Sequence, residues 1–107
     1  MEYHKLVRDR IPHIIQQKGQ TAITAVLSDR EYALRLEEKL DEEVAEFHES
    51  KDLEELADIL EVVYALSEAG GHPVSELQAA YQRKHQERGG FANKIFLRSV
   101  EEPATSK

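Results

Sequence analysis

The chain has no cysteine in its 107 residues. That excludes a disulfide framework, a thiolate metal site and a cysteine nucleophile. No apolar run approaches the roughly 20 residues needed to span a bilayer, and the N-terminus has no apolar core of a signal peptide. A soluble, cytoplasmic protein without a membrane partner is the expectation. No basic stripe interleaved with aromatics is present, so nucleic acid is not the expected partner. Nor is there an internal repeat or a low-complexity segment. The histidines His4, His13, His48, His72 and His85 fall at no ligand spacing and read as surface or structural residues.

What is present is acid, unevenly placed. The formal net charge is −7. Residues 37–61 hold twelve acids against Lys39 and Lys51, a local balance of −10, so the remainder carries +3. An acidic centre with basic flanks suits a site where acids hold a metal and bases hold phosphates.

The helical punctuation is clear. Asp9 or Ile11 opens a short helix with Pro12 in its first turn, closed near Lys18 by Gly19. Ser28-Asp29-Arg30-Glu31 is a capping box that opens a long second helix running to about Ser50. A third spans Leu53 to about Ala69 and stops at Gly70-Gly71. Ser75-Glu76-Leu77-Gln78 reads as a capping box for a fourth, which runs to about Arg88 before Gly89-Gly90. Residues 21–27 are apolar and β-branched and read as extended, and residues 94–100 are apolar enough for a strand that could pair with them. The expected architecture is all-α: one domain over 1–107, a four-helix bundle with an acidic antiparallel hairpin and at most a minor two-stranded element. Residues 101–107 read as a frayed tail.

Within the hairpin, Glu43/Glu46 and Glu55/Asp58 are each spaced i, i+3 and so each share a helix face. If the chain reverses between residues 50 and 51, Glu46 faces Glu55 and Glu43 faces Asp58. Packed helices stand roughly 8–10 Å apart. Facing Glu side chains then leave room for a hard cation with oxygen ligands at roughly 2.0–2.1 Å. Without one, carboxylates about 6 Å apart repel by roughly 3 kcal/mol at an effective dielectric near 20. The alternative is that the acids simply face water. The apolar stripe Leu36, Leu40, Val44, Phe47 argues against it, because Glu43 lies on its edge. Leu56, Ile59, Leu60, Val63 and Leu66 make the matching stripe, which Asp58 and Glu61 interrupt. Glu55 has a competing role in a capping box with Asp52 as N-cap.

Among the bases, Lys84 and Arg88 share a face of the fourth helix at i, i+4. Lys5, Arg8 and Arg10 cluster near the N-terminus, and Lys94 and Arg98 follow the double glycine. Singly each reads as a surface cation near a helix end. Beside an acidic metal site some of them are expected to bind phosphate, with Lys84 and Arg88 first and Arg8 as a further candidate.

The run Glu42-Glu43-x-x-Glu46 … Glu55-x-x-Asp58 resembles the signature of the all-α nucleotide pyrophosphohydrolases, the MazG-like superfamily. So do Tyr3-His4-Lys5-Leu6-Val7-Arg8-Asp9-Arg10-Ile11-Pro12, Lys39-Leu40-x-Glu42-Glu43, Glu55-Leu56-Ala57-Asp58-Ile59-Leu60-Glu61 and Arg88-Gly89-Gly90-Phe91. The likeness covers residues 3–98 and is greatest to the small stand-alone house-cleaning members. It implies a Mg²⁺-dependent hydrolase, with Mn²⁺ as substitute. Nucleoside triphosphates, noncanonical ones included, would give a monophosphate and pyrophosphate. It implies Glu43, Glu46, Glu55 and Asp58 as metal ligands, Glu42 as the residue that activates water, and a homodimer or higher homo-oligomer. Two alternatives stay open: phosphoribosyl-ATP hydrolysis, and a helical dimerisation or regulatory module without chemistry. The chain departs from the family pattern in one respect. Only eight residues separate Glu46 from Glu55, a shorter link than is usual there. Less protein is then left to cover a base or sugar.

Overall fold

The computed structural model describes residues 4–104. The fold is all-α, with helices α1 (Ile11–Gln17), α2 (Asp29–Ser50), α3 (Leu53–Ala69) and α4 (Val74–Arg88). Each boundary has a local cause. Pro12 sits in the first turn of α1, where a missing N–H costs nothing. Ser28 accepts a hydrogen bond from the Glu31 N–H at 3.2 Å and starts α2. The end of α2 is less usual. Lys51 takes the left-handed conformation at φ 59°, and its N–H bonds the Phe47 carbonyl at 2.8 Å. Its ammonium lies over the Phe47 ring, 5.6 Å from the centroid. Asp52 follows as the extended N-cap of α3, so the reversal occupies only two residues.

That tight link lays α3 back along α2. Leu36 on α2 and Val62 on α3 are the buried apolar residues, with Leu40, Val44, Phe47, Ile59, Val63 and Leu66 half-buried around them. α4 packs on α3 through its first half, where Val74, Leu77 and Ala80 are half-buried. The molecule is elongated, 77 × 32 × 23 Å. No helix is long and apolar enough to cross a membrane.

Two details differ from the sequence expectation. The fourth helix begins at Val74, with Pro73 as N-cap and no side-chain cap bond, so the Ser75 capping box does not form. Pro73 presets its own φ and forces the residue before it out of helix, which places the start ahead of Ser75. Glu76 bonds His72 Nδ1 instead, at 3.2 Å. The paired strands are also absent. Among the described residues no strand forms, and residues 21–27 and 94–100 have no regular structure. Apolar, β-branched segments need a surface to cover, and most of these side chains find none: Ile23, Val26, Ile95 and Phe96 are all more than four-fifths exposed, while Ala22 and Leu27 are partly covered. Residues 101–104 are likewise irregular. Tyr3 and the last three residues of the expected tail lie outside the described residues.

Candidate metal centre

Glu43 is buried at 6% exposure, in the α2–α3 seam between Leu40 and Phe47. A carboxylate there is costly unless every oxygen is partnered. One oxygen has Lys39 Nζ at 3.4 Å. The other, Oε2, has no hydrogen-bond partner. Glu55 Oε2 is in the same condition. These two atoms are shut off from solvent.

The hairpin assembles the cluster around Glu43. One oxygen each from Glu43, Glu55 and Asp58 lie within 4.8 Å of one another, and so do oxygens of Glu42, Glu43 and Glu46. Glu43 belongs to both groups. The Asp52 side chain makes no cap bond on α3. The sequence alternative for Glu55, a reciprocal capping box, is therefore incomplete, and its carboxylate is committed to the cluster. At about 4.8 Å and an effective dielectric near 20, two ionised carboxylates repel by about 3 kcal/mol.

Arg8 and Lys39 both reach the cluster. Arg8 Nη2 donates to Asp58 Oδ1 at 2.6 Å, with Glu61 Oε1 at 3.7 Å from Nη1. Lys39 Nζ stands 3.2 Å from Glu42 Oε1 as well as beside Glu43. Burial disfavours the Lys39 charge, yet its pairing with Glu42 and Glu43 outweighs this and its pKa rises. Lys39 and Glu61 are contributors that sequence reasoning did not select. The signal for Lys39 was its i, i+3 and i, i+4 spacing to Glu42 and Glu43. Lys84 and Arg88 are not brought to the acids. Both are exposed on α4, and Arg88 lines a shallow concavity with Phe91, Asn93 and Lys94.

The donor set fits a hard divalent cation. It is all carboxylate oxygen, without sulfur or imidazole, as Mg²⁺ and Mn²⁺ favour. The orphaned Glu43 and Glu55 oxygens are the atoms that such an ion would satisfy.

Protonation follows from the crowding. Burial first, then the charges of Glu46 and Glu43, raise the Glu55 carboxyl from 4.5 to about 6. Glu43 shifts the same way, with burial leading and Glu46 next. The folded, metal-free protein thus holds the Glu55 proton more tightly than the unfolded chain does. Between pH of about 4.5 and 6 the unfolded chain has released this proton and the folded one has not, so stability falls as pH rises through that window. In chelator, Tm is expected to decline across it, and Glu55→Gln should flatten the decline. Cation affinity should climb over the same window, because binding displaces the proton. A pH–Tm curve identical in the two proteins would refute this assignment.

No family model matches the chain, and no solved structure matches it. Over 42 residues, 39% of its length, it is 57% identical to an uncharacterized protein of Mycolicibacterium smegmatis, and the match spans 43% of that protein.

Proposed function

We propose that the protein is a MazG-like, divalent-metal-dependent nucleoside triphosphate pyrophosphohydrolase. The observation that carries this reading is Glu43, a buried carboxylate with an unpartnered oxygen at the junction of two acidic triads. A protein that used these acids only for solubility would leave them in water. Glu43, Glu46, Glu55 and Asp58 would hold Mg²⁺ or Mn²⁺. When bound, the ion would offset phosphate charge and polarise the reacting phosphoryl group.

The remaining roles fall to side chains. Glu42 is half-exposed at the solvent edge of the cluster, on the same helix as Glu43 and Glu46. It orients a water toward the α-phosphorus and accepts its proton. The oxygen of that water bonds to the α-phosphorus while the α–β anhydride bond breaks. The monophosphate and pyrophosphate leave, the bridging oxygen going with pyrophosphate. Arg8, which pairs with Asp58 and Glu61 at the rim, would meet a phosphate as a planar fork. Lys84 and Arg88, which lie away from the acids of their own chain, would take the outer phosphates at the site of another copy. The short α2–α3 link leaves the end of the hairpin open, which suits a site selective for the phosphate chain more than for the base. The working unit is a homodimer or higher homo-oligomer in the cytoplasm.

Steady-state kinetics and metal titration of two variants test the division of labour. Glu46→Gln should weaken Mg²⁺ binding and turnover together. Glu42→Gln should lower kcat about a hundredfold or more while keeping metal affinity, the usual contribution of a general base. Equal loss of metal affinity in both would overturn it. A screen of common and damaged nucleoside triphosphates with pyrophosphate detection would then identify the substrate.

A further inference from the structure

A single chain leaves far more surface open than a folded protein of its size. Its accessible area is 10,067 Å², whereas a compact chain of this mass exposes about 6,000 Å². Its radius of gyration is 20.1 Å, against about 13 Å for a compact chain of this length. The excess is about 4,000 Å². A permanent interface buries about 1,000–2,500 Å² per partner, so the excess is large enough for one.

Two apolar surfaces are part of it. Leu53, Leu56 and Leu60 recur at i, i+3, i+7 along α3 and are 78%, 45% and 48% exposed. The other lies beyond α4. Phe91, Ile95, Phe96 and Leu97 are each about three-quarters exposed or more. Every residue from Tyr81 to Ala104 is exposed. The second half of α4 and the segment after it therefore lie off their own hairpin and cover nothing there.

Charge makes the two surfaces complementary. From residue 88 to 100 the segment carries Arg88, Lys94 and Arg98 and no acid, while residues 37–61 carry −10. On α3 the exposed Glu54 and Glu61 accompany the leucine stripe.

We propose that residues 91–100 form an arm exchanged between two copies of this chain, each arm lying on the Leu53–Leu56–Leu60 stripe of the other. Apolar side chains then leave water on both sides, and Lys94 and Arg98 run beside the acidic hairpin of the second copy. The chemistry at Glu43 is not needed for this, so an inactive dimer would sink the hydrolase reading and leave the exchange standing.

Because the chain lacks cysteine, introduced thiols report contacts without background. Light scattering on the full chain at micromolar concentration should give a dimer or an even multiple of it. Phe96→Cys and Leu56→Cys chains, carrying different tags, should on mixing and mild oxidation form a disulfide between the tags. Phe96→Asp with Ile95→Asp should raise the dimer dissociation constant at least about a hundredfold with helix content unchanged by circular dichroism. A monomer would overturn the proposal. So would a dimer that gives no arm-to-α3 disulfide, or a Leu56→Cys/Phe96→Cys double variant that closes only within one chain. The cross-link decides the matter even if the aspartate variant fails to fold.

Discussion

Replacing Glu43 with glutamine is expected to abolish metal-dependent hydrolysis and, at the same time, to stabilise the metal-free protein. The two effects have one source. Glu43 is buried, its Oε2 is unpartnered, and acids surround it. Its pKa is raised by burial and by Glu46, which says that the ionised form is the strained one. An amide of the same shape removes that charge, and its N–H can donate to a neighbouring carboxylate. The gain should be about 1 kcal/mol, the order of one relieved buried polar group. Lys39 loses one partner but keeps Glu42 at 3.2 Å. Against this, a residue shared by both triads would be the ligand least replaceable. Turnover should fall by more than about a hundredfold, above the usual cost of disturbing a ligand's supporting shell. Thermal melts in chelator and rates in Mg²⁺ read the two effects separately. A variant less stable without metal, yet still responsive to Mg²⁺, would contradict both halves.

The second large effect is on stability in the wild-type protein. A cation bound only to the folded state adds about 2.7 kcal/mol at a hundredfold excess over Kd. For a domain of this size that corresponds to a rise in Tm of about 10–20 °C. The rise should be large because the ion also relieves the repulsion at Glu43 and Glu55. Melts with Mg²⁺, with Mn²⁺ and with EDTA measure it, and Glu43→Gln should show little of it. Coincident wild-type melts in EDTA and Mg²⁺ would count heavily against the metal centre.

Much of this was legible in the residues, for definite reasons. Gly19, Gly70 and Gly89 punctuate the chain, and Ser28 caps α2, so the helix ends could be placed. The i, i+3 spacing of Glu43/Glu46 and Glu55/Asp58, with a short link, leaves little freedom in how the hairpin closes. Lys51 in a left-handed conformation was not legible, because nothing about a lysine announces it. At α4 two signals competed, and the fixed φ of Pro73 overrode the Ser75 box. The pairing of Arg8 with Asp58 spans fifty positions and has no periodic trace. Residues 94–100 carry the composition of a strand, but composition does not say what they cover.

The most direct measurement is ³¹P NMR of a nucleoside triphosphate incubated with the protein and Mg²⁺, repeated in EDTA. The expected products are the nucleoside monophosphate and pyrophosphate in equal amounts, none of them in EDTA. Diphosphate with orthophosphate, or an intact triphosphate across the whole nucleotide panel, would contradict a pyrophosphohydrolase built on Glu43, Glu46, Glu55 and Asp58.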